Sequence, residues 1–338
     1  MSDLPAPAPL PEASGPLDAA LLAELREHNR PVVLRQIAAD WPAVAAGREG
    51  PEAIVAYLKA ARPTRPVTAI AAHPDEGGRF FYNASLTGMN FARGQGPLPL
   101  FLDDLLRAQG MAAPPALAVQ SEIIAELLPA FADTNRLAAL AHIPPRIWIG
   151  NAIRVAAHYD VKENVAVCVA GRRRFTLFPP EQIANLYPGP LEQTPAGTPV
   201  SMVDLAAPDL AMYPRFPAAW GTAQEATLEP GDAVYIPYCW WHAVQSLDDV
   251  NVLVNYWWSE GKQPGAGGAY DALLHAIMAI KHLPPQQRAV WRSWFDFYVF
   301  EADGDPAAHL PLSARGALGP PDPAMFAAMK QMLRQMLG

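Results

Sequence analysis

Cysteine is scarce in this chain: Cys168 and Cys239 are the only two among 338 residues. Two cysteines cannot build a disulfide framework and suit a reducing compartment, so a cytoplasmic location is expected. Charge is scarce as well. Charged residues make up 17% and the formal net charge is −8, so no global attraction to nucleic acid or anionic lipid is expected. No run of 18 apolar residues occurs, and no transmembrane helix is expected. The opening MSDLPAPAPLPEASG has no basic stretch leading into an apolar core, and it does not read as a secretory signal. No internal repeat recurs at a fixed period.

Apolar residues and proline are plentiful. Hydrophobic residues reach 51%, which is a globular composition, and the length allows a substantial core in one large or two modest domains. The 37 prolines concentrate between 5 and 16, 179 and 217, and 305 and 323, marking irregular connections.

The chain divides by pattern. Residues 1–16 read as a flexible Pro/Ala-rich arm. Residues 17–145 read as an α/β region packing on the core. Its expected helices cover 17–28, 51–60, 98–109 and 121–131, its expected strands 30–34, 67–71 and 79–83. Asp40-Trp41-Pro42 ends a turn-like segment, and the glycine-rich 94–97 reads as a loop. From 146 to 258 the signal changes to short strands: 146–150, 155–160, 164–170, 173–178, 233–237, 242–246 and 250–258. Ala170-Gly171, Pro179-Pro180, Pro230-Gly231-Asp232 and Asp248-Asp249 punctuate them. Such a series predicts a β-sandwich or small barrel, with 179–226 as a long proline-rich insertion. Residues 259–338 return to helix over 270–282, 286–300 and 322–337. Their aromatic and methionine faces need cover, from the barrel or from a second copy of the chain.

The chemistry centres on His158-Tyr159-Asp160 and on His242 downstream. An H-x-D…H set can occupy one face of an octahedral metal and leave three positions open, as in non-haem Fe(II) oxygenases. An H-x-D pair arises by chance, so its surroundings decide. Alternation along 173–178 sends Arg173, Phe175 and Leu177 inward and Arg174 and Thr176 to water, with Arg172 on the solvent side. A buried guanidinium needs an anion. Either an internal carboxylate or a dicarboxylic cosubstrate reaching from the metal can supply it. Continued alternation from Ile236 through Tyr238 and Trp240 puts His242 on the same face, as a core histidine or a ligand. Cys239, three residues earlier, falls on the opposite face and reads as packing. The other six histidines, His28, His73, His142, His275, His282 and His309, lack paired spacing and read as surface or core residues. Arg172 and Arg174 read as a solvated strand face rather than a nucleic-acid patch.

Two long stretches carry a resemblance. Ala157-His158-Tyr159-Asp160, Glu163-Asn164 and Gly171-Arg172-Arg173-Arg174-Phe175-Thr176-Leu177-Phe178-Pro179-Pro180 form the first. Pro230-Gly231-Asp232-Ala233-Val234-Tyr235-Ile236-Pro237, Trp240-Trp241-His242 and Val254-Asn255-Tyr256-Trp257 form the second. Together they resemble the cupin-like JmjC hydroxylases, well over 146–258 and loosely over the flanks. The resemblance implies a mainly β fold with flanking helices: a double-stranded β-helix (cupin/JmjC jelly roll) core plus a C-terminal helical bundle. It implies Fe(II), held by His158, Asp160 and His242, with 2-oxoglutarate as cosubstrate. Asn164 and Asn255 match asparagines near the cosubstrate, and Trp257 matches an aromatic wall. The family's 2-oxoglutarate-anchoring lysine position holds Arg173 here. Loosely, the match extends to Tyr82 and Asn83. Asp160 argues against a halogenating relative, which needs that ligand position vacant.

The implied reaction hydroxylates a protein or peptide side chain and releases succinate and CO2. The same chemistry on RNA or a small metabolite is the alternative, since such relatives include a tRNA-base hydroxylase. A metal-binding cupin without oxygenase activity is a third reading. Dimerisation through the C-terminal helices is also implied.

Overall fold

The computed structural model describes residues 4–259, 261 and 266–337. Chain order begins with β1 (Ala8–Pro9), β2 (Glu12–Ala13), α1 (Ala19–His28), β3 (Val32–Leu34), α2 (Pro42–Glu49) and α3 (Pro51–Ala60). Next come β4 (Val67–Ala72), β5 (Arg79–Phe80), β6 (Phe91–Gly96), α4 (Leu98–Ala108), β7 (Ala116–Ile123), α5 (Ile124–Leu127) and α6 (Pro129–Thr134). The central strands are β8 (Arg146–Gly150), β9 (Arg154–His158), β10 (Glu163–Ala170) and β11 (Arg173–Phe178). After α7 (Phe216–Trp220) follow β12 (Gln224–Leu228), β13 (Ala233–Ile236), β14 (Trp241–Ser246) and β15 (Asn251–Trp258). The chain closes with α8 (Ala269–Ile280), α9 (Pro285–Tyr298) and α10 (Pro323–Leu337).

Two sheets face each other. The larger has nine strands in the order β2-β3-β13-β10-β15-β8-β7-β4-β6, the smaller six in the order β1-β12-β11-β14-β9-β5. Strand alternation sorts the side chains into three layers. On β10, Ala166 and Cys168 join Phe175, Leu177, Leu228, Val234 and Ile236 between the sheets. Val165, Val167 and Val169 face the other way, into a core shared with α2, α3, α4 and α6 through Val44, Ile54, Leu58, Leu102 and Phe131. The outer face of the smaller sheet is covered instead by the 179–226 segment. There Leu186, Val203, Phe216 and Ala219 pack on Ala157, Phe178, Trp241 and Ala243. The expected double-stranded β-helix with flanking helices is therefore present, with a lined interior between two separately packed outer faces.

Several local expectations differ from the structure. Residues 8–9 and 12–13, expected within a flexible arm, add short parallel strands to β12 and β3. The single helix expected over 121–131 is absent. Instead β7 runs to Ile123, and only then do α5 and α6 follow. The glycine-rich 94–97 lies largely in β6, an edge strand paired to β4, where pairing to the neighbour outweighs weak glycine propensity. The turn over 35–40 does end at Asp40-Trp41, and Pro42 goes on to start α2, at a first-turn position that tolerates proline. β12 lies at the end of the segment expected as an insertion and pairs with β11.

The Pro230-Gly231-Asp232 turn is fastened from inside. Asp232 is buried, pairs with Arg35 Nη1 at 2.7 Å and accepts from the Gln36 and Glu229 amides at 3.0 and 3.1 Å. This joins the start of β13 to the end of β3.

Residues 1–259 and 260–338 form two compact units. In the second, none of α8, α9 and α10 contains a buried residue. No helix of the described residues is long and apolar enough to cross a membrane.

Candidate metal centre

His158 ends β9 and His242 lies near the start of β14, and the two are direct partners across that antiparallel pair. The ladder slips between His242 and Val244: two steps on β14 oppose three on β9, from His158 to Val155. The extra residue is a bulge, which re-aims side chains and recurs beside functional sites. The imidazole centroids stand 4.3 Å apart. Asp160 follows on the β9–β10 connection, its Oδ2 3.5 Å from His242 Nε2. One donor atom from each of His158, Asp160 and His242 lies within 4.8 Å of the others, a group able to hold a metal ion.

Backbone carbonyls orient both rings. His158 Nδ1 meets Ala156 O at 2.9 Å and His242 Nδ1 meets Trp240 O at 3.0 Å. With Nδ1 donating, each Nε2 keeps a lone pair for a metal. Burial, then the neighbouring His158, pull the His242 pKa down to about 4, so its ring is neutral at pH 7. Asp160 Oδ2 is buried without a hydrogen-bond partner. The backbone around it is pinned. Ser201 N donates to Ala157 O at 2.6 Å, Thr198 Oγ1 to Tyr159 O at 2.5 Å, and Cys239 N to Asp160 O at 3.0 Å.

These side chains line a cavity of about 340 Å3 between the sheets. Arg173, Asn164, Asn255 and Trp257 line it too, so the structure brings together the three expected metal ligands and the four expected cosubstrate residues. Arg173 is buried, and its Nε has no partner. Burial pulls its pKa down to about 10, which leaves it cationic at pH 7. β11 pairs Leu177 with His242 and Arg173 with Ser246. Four residues of strand therefore separate Arg173 from the histidine level, about 13 Å at the usual rise. Asn255 Nδ2 donates to Asn164 Oδ1 at 3.2 Å, and Trp148 Nε1 donates to Asn255 Oδ1 at 2.8 Å. Trp257 packs edge-to-face on Trp148 at 5.6 Å, and its own Nε1 is buried without a partner.

A second cavity, of about 500 Å3, includes Arg79, Arg154 and Arg174 in its wall. There each arginine has a carboxylate: Asp204 at 3.8 Å from Arg79 and 3.2 Å from Arg154, and Glu225 at 3.6 Å from Arg174. The contrast sharpens the position of Arg173, which makes no ion pair among the described residues. Arg172 is exposed and paired to Asp248 at 2.9 Å, in keeping with a solvated face. Thr176 departs from its expected exposure: it is buried and donates to Glu225 at 3.0 Å.

The alternation expected from Ile236 to His242 does not persist. β13 stops at Ile236, and Pro237–Trp240 forms a turn with Trp240 N donating to Pro237 O at 3.1 Å. Cys239 takes a φ of 60° there, and Tyr238 is 40% exposed. Pairing of β14 with β9 and β11, not continuity with β13, turns His242 inward. Burial pushes the Cys239 thiol up to about 11 and the Cys168 thiol to about 12, so neither is a thiolate at neutral pH.

Tyr82 and Asn83 do not line the cavity; Phe80 of the same segment does. Tyr82 packs where Gly189 passes, with no room for a Cβ at that glycine. Gln120, Ser121, Trp148, Pro195, Ala196 and Val200 also line the cavity, and the sequence reading missed them. Gln120 and Ser121 sit in a bulge of β7 against β8, with Ser121 at φ 58°. The polar pair interrupting the apolar run 116–119 was the available signal.

The model of the cupin-like domain family matches residues 18–263. The chain belongs to the cupin-like JmjC family. Among curated proteins, this family member is 37% identical over 131 residues to the lysine-specific demethylase JMJ31 of Arabidopsis thaliana, covering 38% of this chain and 22% of that protein. Over 115 residues it is 37% identical to human HSPB1-associated protein 1, covering 33% and 22% of the two chains. Over 161 residues it is 31% identical to the mouse tRNA wybutosine-synthesizing protein 5, covering 44% and 46%. The matches thus span less than half of these curated relatives.

Proposed function

We propose that this chain is an Fe(II)- and 2-oxoglutarate-dependent oxygenase that hydroxylates a protein side chain. The observation that carries the reading is one cavity holding a His-Asp-His group and a buried arginine with no ion pair among the described residues. The donor set fits Fe(II): two imidazoles and one carboxylate. The unpaired Arg173 Nε fits the far carboxylate of a dicarboxylic acid, which a guanidinium can grip in a planar fork.

Fe(II) with 2-oxoglutarate and O2 supplies the oxidising chemistry, with release of succinate and CO2. The protein's own part is orientation and exclusion of water. His158 and His242 present Nε2, with Nδ1 held by the Ala156 and Trp240 carbonyls. Asp160 presents the carboxylate. Asn164 and Asn255 offer amides to the cosubstrate, and Trp257 walls the cavity beside them.

A relative named a lysine-specific demethylase supports a protein side chain as substrate. The relative named for tRNA wybutosine synthesis favours a second reading, the same chemistry on RNA. Net charge −8 weighs against it. Two free thiols with raised pKa values suit the cytoplasm. The exposed apolar faces of α8–α10 suit a homodimer, because a two-fold axis matches such a patch with itself.

The test is anaerobic addition of Fe(II) and then 2-oxoglutarate, followed by admission of O2. The expected result is a weak visible charge-transfer band, then succinate. If neither band nor succinate forms, the oxygenase reading fails. Candidate peptides and tRNA, assayed separately for stimulation of succinate release, decide between the two substrate classes.

A further inference from the structure

Trp148, Asn255 and Asn164 lie on β8, β15 and β10, which are neighbours in the larger sheet. Trp148 pairs with Leu253 and Asn164 with Trp257, so each is a diagonal neighbour of Asn255, and all three line the cavity. An indole N–H donates and cannot accept. The atom facing Trp148 Nε1 at 2.8 Å must therefore be the carbonyl oxygen of Asn255. That choice turns Asn255 Nδ2 toward Asn164, and the atom receiving it at 3.2 Å must be the Asn164 carbonyl oxygen. Asn164 Nδ2 is then left pointing a donor at the cavity, with no acceptor among the described residues. Neither asparagine can flip without setting two donors against each other in a buried place.

We infer that Trp148 is a positioning residue whose N–H sets the polarity of both amides, so that Asn164 donates to a carboxylate oxygen of the cosubstrate. This rests on the proposed cosubstrate. A chain of opposite polarity would present an acceptor to that anion and repel it. The T-shaped contact with Trp257 holds the Trp148 ring while its N–H makes this contact.

The test uses full-length protein loaded with redox-silent Mn(II), with 2-oxoglutarate binding measured by calorimetry. If the wild type does not bind 2-oxoglutarate, the functional reading fails first. If it binds, Trp148→Phe, which keeps a ring and removes the N–H, is expected to weaken binding roughly tenfold with Mn(II) affinity unchanged. In an Asn164→Ala background the same substitution is expected to add nothing further, because its path runs through Asn164. An unchanged Kd in Trp148→Phe, or equal losses in both backgrounds, overturns the inference. Should the variant not fold, wild-type protein loaded with diamagnetic Zn(II) and labelled on asparagine side chains supplies a second measurement. 2-Oxoglutarate is expected to shift the Asn164 NH2 resonances, and an unmoved Asn164 signal overturns the proposal.

Discussion

Arg173 is a buried cation with no ion pair among the described residues, and burying a charge without a partner is costly. Replacing buried charge by a well-packed apolar side chain is often stabilising. Arg173→Met is therefore expected to stabilise the ligand-free protein by on the order of 1–4 kcal/mol while abolishing 2-oxoglutarate binding. Denaturant midpoints and calorimetry check the two halves; a loss of stability would mean that Arg173 serves the fold. His242 makes the opposite kind of statement. Its pKa falls from 6.5 to about 4 on folding. Between those values the unfolded chain binds a proton that the folded chain does not, so stability is present above pH 6.5 and is lost toward pH 4. The loss is on the order of 3 kcal/mol. Subtracting the stability–pH curve of metal-free His242→Gln from that of wild type should expose this slope; a flat difference contradicts it.

At the scale of elements, the candidate metal centre depends on two strands and on what grips their ends. Thr198 and Ser201 belong to the proline-rich 179–226 segment, yet they hold the carbonyls of Tyr159 and Ala157. Thr198→Val removes one such grip and is expected to weaken Mn(II) affinity roughly tenfold, with Tm little changed; unaltered affinity would show that the segment only covers the sheet. α2 lies against β10 at Gly47, where a Cβ would come within 2.1 Å of Val169 O. That atom is backbone and cannot move aside cheaply. Gly47→Ala should therefore cost about 1–3 kcal/mol, read from denaturant unfolding, and a neutral result would mean that the helix can lift off the sheet. The strands around the site were mostly visible as alternation and turns, Arg173–Phe178 to the residue. β12 and β6 were not, because strand pairing rather than local pattern makes them strands.

For the whole molecule, apolar exposure is uneven. Trp291, Trp294, Phe297, Met329, Met332 and Leu333 are all exposed in the 260–338 unit. If a second copy covers them, Trp294→Glu combined with Met332→Glu should convert a dimer to a monomer in sedimentation velocity. A wild-type monomer would refute that arrangement.

The gathering of His158, Asp160, His242 and Arg173 in one cavity was legible in the sequence because the signals are local: an H-x-D spacing, an arginine in phase with apolar neighbours, and ordered motifs around both. The N-terminal strand ends, Gln120, Ser121 and the Trp148 contact could not. Bulges and cross-strand register place those side chains, and register is set by pairing between segments distant in the chain. His242 shows the division best. Its inward direction was expected from continuity with Ile236, but a turn intervenes, and pairing with β9 and β11 is what faces it toward His158.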